Sequence, residues 1–279
     1  IEPEETINTV MPMPDDESSW GELNVMFATA SGNVRRNNLS DFTNIKRNGK
    51  IAMKMQDGDE LVGVIPCSDN DDVLMATRNG KAIRFAANAV RVFRGRDSTG
   101  VRGIRLLGED RVVSMSIIAD PENEFILSVT ENGYGKRTPI KDYRQSGRGG
   151  QGVANIEISP RNGQVMASFT VVEEDQLMLV TNQGQIIRIR VHGGEGDSIR
   201  IASRKTLGVR LFDVADDNDE KVVSAGLIHE TDDEDDDQAD HDSDVSVVRD
   251  EDVTQTVSED ETKVKVVTAD DTGATDEEA

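Results

Sequence analysis

The chain has 279 residues, a single cysteine, 4% aromatic residues and a formal net charge of −23 at pH 7. One cysteine, Cys67, excludes an intrachain disulfide and suits a reducing cytoplasm, and no apolar run approaches the roughly 18 residues that a membrane-spanning helix requires. The acidity sits at the ends: residues 1–22 carry seven carboxylates and no base, residues 229–279 carry 21 against three bases, and residues 23–228 are left near +2, so an anionic partner is not excluded.

In chain order, residues 1–22 read as an acidic lead-in; they begin with Ile rather than Met and show no signal-peptide pattern, which predicts a piece of a longer chain. A fourfold repeat follows over residues 23–228, with units near 23–70, 71–121, 122–174 and 175–228. Its most regular element is Thr-x-x-Gly, at Thr29–Gly32, Thr77–Gly80, Thr130–Gly133 and Thr181–Gly184. An apolar strand precedes each threonine, at Val25–Ala28, Val73–Ala76, Phe125–Val129 and Leu177–Val180. The glycine predicts a tight turn with positive φ.

Each unit continues through a loop of glycine and cations into an alternating strand, near Ile51–Met55, Val101–Leu106, Val153–Ile158 and Val209–Val214. A last strand closes it, at Leu61–Ile65, Val112–Ile118, Val165–Val172 and Val222–Leu227. The apolar period of two marks strands with one buried face, and the one helical turn foreseen is near Leu39–Phe42. Four short strands in about 50 residues predict an all-β, propeller-like array of four-stranded blades with an aliphatic core. Residues 1–22 then read as the end of a preceding blade. Residues 229–279, with the acidic run Asp232–Asp237, predict a disordered acidic tail, because like charges repel and find nothing apolar to bury.

Four residues after each turn glycine stands an arginine: Arg36, Arg84, Arg137 and Arg188. Further cations lie in the loops and on neighbouring strands: Lys46, Arg47, Lys50, Arg94, Arg96, Arg102, Lys136, Arg144, Arg148, Arg190, Arg204 and Lys205. Stacked units would align them along one edge, a pattern suited to the periodic charge of a phosphate backbone. Two readings of the matched arginines stand side by side, phosphate contact and a repeated packing role under the hairpin. Few aromatics accompany the cations, which favours duplex DNA read by shape over stacked single strands.

The segment Asn132-Gly133-Tyr134-Gly135-Lys136-Arg137-Thr138-Pro139 closely resembles the blades of the C-terminal domain of DNA gyrase A proteins, as do Gly49–Met55, Asp57–Val64 and Thr99–Leu106. The resemblance covers roughly residues 20–228 and implies a β-pinwheel, a propeller-shaped ring whose blades exchange strands and whose rim binds and bends duplex DNA. It also implies that the DNA is presented to a catalytic region for ATP-dependent negative supercoiling. The partners so implied are the catalytic N-terminal region of gyrase A together with gyrase B, with ATP and Mg bound elsewhere in that assembly and no cofactor here.

The family's diagnostic box, Gln-Arg/Lys-Arg-Gly-Gly-Arg/Lys-Gly, has its nearest counterpart at Gln145-Ser146-Gly147-Arg148-Gly149-Gly150-Gln151-Gly152, one residue longer and in the third repeat. That places the family's own box upstream of residue 1. Tyr134 and Tyr143 lie in blade motifs rather than in a catalytic constellation. Two alternatives accompany the gyrase reading: the similar domain of topoisomerase IV, and a propeller serving as a protein-interaction scaffold. The acidic tail is expected to compete with DNA for the cationic edge.

Overall fold

A computed structural model of the protein describes residues 11–43, 45, 49, 51–193, 198–214 and 219–228. The acidic tail, and Lys46, Arg47 and Lys50 among the candidate cations, lie outside the described residues.

Each repeat begins with a tight hairpin. The first pairs β1 (Asn24–Thr29) with β2 (Asn33–Asn38), and β3 (Leu61–Cys67) lies on the other side of β1. The second repeat supplies β4 (Asp72–Thr77), β5 (Lys81–Ala86) and β7 (Val112–Ile118). The third supplies β8 (Phe125–Thr130), β9 (Tyr134–Pro139) and β11 (Val165–Val171). The fourth supplies β12 (Gln176–Thr181), β13 (Ile186–Arg190) and β15 (Val222–Ile228). In all four hairpins the glycine N–H donates to the threonine carbonyl, at 2.9–3.1 Å, and the glycine φ lies between +74° and +87°. This left-handed conformation is open to glycine at little steric cost.

In the second, third and fourth units the expected third strand is shortened to two residues and belongs to the preceding blade. Val101–Arg102 (β6) pairs with β2, Val153–Ala154 (β10) with β5, and Val209–Arg210 (β14) with β9. The sheets are therefore β3-β1-β2-β6, β10-β5-β4-β7 and β11-β8-β9-β14, followed by a three-stranded β13-β12-β15. Ile51–Met55 forms no strand; no earlier repeat stands among the described residues to accept it. A 3-10 turn follows the second strand in three repeats, at Leu39–Phe42 as foreseen and also at Ala87–Ala89 and Ile140–Asp142.

Backbone pairing repeats between blades as well as within them. The turn glycine's carbonyl accepts two N–H groups from the next repeat: Gly32 from Gly103 and Ile104, Gly80 from Asn155 and Ile156, Gly133 from Leu211 and Phe212. On the inner side, Val112, Val165 and Val222 donate to the carbonyls of Ala30, Arg78 and Glu131 of the preceding blade, at 2.8–3.0 Å. The strands β3, β7, β11 and β15 thus sit next to one another about a common axis, and β6, β10 and β14 form the outer edge.

The core lies between blades. Met26, Ala28 and Val34 pack against Val73, Met75, Ile83 and Phe85; Leu127 and Val129 pack against Leu177, Leu179 and Val191. Each of these side chains other than Ala28 contributes about 1.5–3 kcal/mol on burial. The second and third blades also share a polar layer. The Tyr143 hydroxyl donates to Asn155 Oδ1 at 2.5 Å, and Asn155 Nδ2 reaches Ser128 Oγ and Ser168 Oγ at 3.0 and 3.3 Å. Trp20, which falls in the acidic lead-in, covers the outer face of the first blade with Val25, Phe27, Leu39 and Met53. Residues 11–22 form no strand; their one regular element is the 3-10 turn Glu17–Gly21, which carries Trp20 onto that face.

Candidate nucleic-acid interface

The outermost strand of each of the first three blades is entered by a loop from the following repeat. This loop is seated by one parallel bridge on the second strand: Val92 opposite Arg36, Gln145 opposite Arg84, Ile201 opposite Arg137. Beyond it a glycine with φ of +73° to +84° lies against the preceding blade's backbone; a Cβ on Gly100 would stand 2.2 Å from the Val34 carbonyl oxygen, and one on Gly152 2.3 Å from that of Ala82. The loops therefore hold a fixed path along the outer edge, and they carry Arg94, Arg96, Arg144, Arg148, Arg204 and Lys205 with them.

The matched arginines take the packing role. Arg36 is 4% exposed and pairs with Asp69. Arg84 donates through Nε to Asp72 Oδ2 at 2.7 Å and through a terminal nitrogen to the carbonyls of Ile140 and Tyr143. Arg137 is 3% exposed, donates to the Ile199 carbonyl at 2.8 Å and pairs with Glu173 at 3.2 Å. Each guanidinium binds the loop or strand end it underlies, and Arg36 and Arg137 are too deeply buried to meet a surface phosphate. Arg188 differs: it is exposed on β13 and donates to Gln176, in a blade with no described successor to cover it.

Lys136 is likewise withdrawn from the surface. It is fully buried, with Nζ donating to Thr138 Oγ1 and the Ser203 carbonyl at 2.9 and 2.6 Å. Burial, reinforced by nearby Arg204, pulls its ammonium down to about 8. The equivalent position in the first repeat is Arg35, which is 1% exposed and donates to the Ser98 carbonyl and hydroxyl. Burial lowers its pKa as well. These two cations sit behind the loops they fasten.

Arg94, Arg102, Arg144, Arg148, Arg190 and Lys205 are exposed, and Arg96 and Arg204 half-buried, all but Arg190 on the edge loops or outer strands. The box-like loop Gln145–Gly152 belongs to the third repeat and fastens to residues of the second, which lie in the first and second blades. Gln145 donates to Asp72 at 2.6 Å, Arg148 to the carbonyls of Ala89 and Arg102 at 3.0 and 3.1 Å, and the Gly149 N–H to the Gly103 carbonyl at 2.5 Å, while Gly150 accepts from the Arg105 N–H. Gly147–Gly150 thus closes against the outer strand of the first blade, where a Cβ on Gly149 would meet Arg102.

Sequence reading missed exposed Arg91, Arg105 and Arg200. Arg91 stacks over the Phe93 ring at 4.3 Å, with Arg35 on the same ring at 4.9 Å. At the hairpin end of the third blade, Tyr134 accepts hydrogen bonds from Arg161 and Arg210 at 2.9 and 3.2 Å, and these two contacts lower its phenol pKa. The tyrosine is held inside a blade motif, as is Tyr143.

A sheet exchanged between successive repeats and a cation-bearing outer edge define a propeller of the pinwheel type. The family described as DNA gyrase C-terminal domain, beta-propeller, matches residues 23–68, 71–119, 124–171 and 175–229, and the chain belongs to it. It is 41% identical over 297 residues to the DNA gyrase A protein of Granulibacter bethesdensis, covering 85% of this chain and 31% of that protein. It is 40% identical over 233 residues to that of Staphylococcus epidermidis, covering 84% of this chain and 25% of that protein. The chain thus spans less than a third of the length of these relatives. Among solved structures, a topoisomerase IV C-terminal domain has a TM-score of 0.72 at 23% identity, covering 82% of this chain and 68% of that one. A DNA gyrase A C-terminal domain has a TM-score of 0.65 at 24% identity, covering 74% and 66%. At these identities the structural likeness carries the fold.

Proposed function

We propose that this chain binds duplex DNA along its outer edge and bends it there, as the C-terminal part of a DNA gyrase A protein. The observation that carries this reading is the placement of the edge-loop cations. Three successive loops, each seated on the preceding blade, carry Arg94 and Arg96, Arg144 and Arg148, and Arg204 and Lys205 along the edge. A convex row of cations suits a polyanion wrapped around it, and contacts to phosphates position the duplex without reading its sequence.

In the whole protein the bent DNA is handed to the catalytic region of gyrase A, acting with gyrase B, ATP and Mg, for the introduction of negative supercoils in the bacterial cytoplasm. This chain contributes binding and geometry. The relatives at 41% and 40% identity favour gyrase over topoisomerase IV.

The test is titration of the full chain against a long duplex of arbitrary sequence at several salt concentrations. Each neutralised phosphate releases about 0.9 counterion, so the logarithm of the binding constant should fall steeply and linearly with the logarithm of salt, equally for unrelated sequences. A flat dependence, or a partner captured from nuclease-treated lysate with no affinity for DNA, would replace this reading with the scaffold one.

A further inference from the structure

We infer that Arg91, Arg144 and Arg200 form a phosphate-binding ladder with one rung per blade. This rests on the proposed DNA-binding function and assigns its regular contacts to residues that the repeated sequence motif does not mark.

The three are equivalent by geometry. Each immediately precedes the residue that bridges the preceding blade: Val92 opposite Arg36, Gln145 opposite Arg84, Ile201 opposite Arg137. Each is followed, two residues on, by an N–H that donates to the carbonyl of that buried arginine: Phe93 to Arg36, Ser146 to Arg84 and Ala202 to Arg137, at 2.8, 2.9 and 2.9 Å. Each follows a residue locked in the core, Val90, Tyr143 or Ile199, none more than 3% exposed. Backbone and anchor therefore aim the three side chains alike, and all three are exposed.

No other position in these loops is cationic in all three repeats. Two residues past the bridge stand Arg94, Gly147 and Ser203; three past it stand Gly95, Arg148 and Arg204. Among the described residues none of the three ladder arginines has a carboxylate partner. Arg148 and Arg204, by contrast, spend donors on the carbonyls of Ala89 and Arg102, and of Ala154. A charge that repeats in register with the blades meets a backbone whose charge also repeats, and its donors remain available for phosphate oxygens.

The full chain carrying Arg91→Gln, Arg144→Gln and Arg200→Gln should bind a long duplex with a log–log salt slope shallower by about 2.7, at about 0.9 for each contact removed. Arg78, Arg111 and Lys221 line the cavity between the inner strands, beside Val112, Val165 and Val222; the matching triple Arg78→Gln, Arg111→Gln and Lys221→Gln removes the same charge and should leave the slope unchanged. Arg→Lys at the three ladder positions should keep the slope, since the charge remains. A slope unaffected by the ladder triple, or reduced equally by both triples, would overturn the ladder while leaving the DNA-binding reading in place. If the unaltered chain shows no salt-dependent binding, that reading fails and the ladder with it.

Discussion

Gly80 and Ile156 are pressed together so closely that a methyl group on Gly80 would stand 2.2 Å from the Ile156 carbonyl oxygen. Gly80 belongs to the hairpin of the second blade and Ile156 to the third repeat, which returns to complete that blade. The same contact recurs between Gly133 and Phe212, at 2.5 Å. Gly184 has a φ of +83° and nothing within 4 Å. Gly184→Ala should therefore cost only the left-handed backbone term, about 1–2 kcal/mol. Gly80→Ala should cost several times as much, because backbone on both sides must move. Denaturant unfolding of the two variants measures the difference, and equal losses would show that the inter-blade contact is unimportant.

Arg84 and Asp72 form a largely withdrawn pair, with side chains 12% and 9% exposed. Arg84→Ala removes the countercharge of the Asp72 carboxylate, to which Gln145 still donates, and should destabilise the fold by about 3–5 kcal/mol, with much of this recovered in the Arg84→Ala/Asp72→Ala double variant. The salt slope of DNA binding should be unchanged, because this guanidinium is committed to the blade. A slope reduced in step with that of a surface arginine would return Arg84 to the interface.

Lys136 titrates at about 8 in the folded chain against an ordinary 10.5. Between these values the unfolded chain binds more protons than the folded one, so this group makes stability rise with pH across that window. Lys136→Met should flatten the rise without loss at pH 7, since Thr138 Oγ1 still donates to the Ala202 carbonyl and the Ser203 carbonyl still accepts from Thr206. Thermal unfolding of both proteins from pH 7 to 10.5 tests this; parallel pH curves would refute it.

Trp20 is the only tryptophan and lies against Val25, Phe27, Leu39 and Met53. Trp20→Ala should cost about 3–5 kcal/mol, the range for removing a buried aromatic. In the unaltered chain its emission should shift to the red on unfolding. Followed by circular dichroism, an unchanged midpoint for the variant would mean that the first blade stands without its cap.

Local structure was legible from the residues alone. Period-two apolar runs marked the strands, and Thr-x-x-Gly marked the turns, because both depend on residues close in the chain. The charge division between the middle section and its ends was equally plain. Which strand completes which sheet was settled by packing at long range: Val101–Arg102, Val153–Ala154 and Val209–Arg210 each cross to the preceding blade. The fate of the cations was settled there too. Of the arginines at constant spacing from the turn glycine, Arg36, Arg84 and Arg137 became packing groups, because that register lies on the face covered by the next blade. The exposed set escaped alignment because its loops differ in length: the bridging residue lies 12 positions after the turn glycine in the second and third repeats and 17 after it in the fourth. Equivalence there is measured by where the backbone lands on its neighbour, and spacing along the chain does not record it.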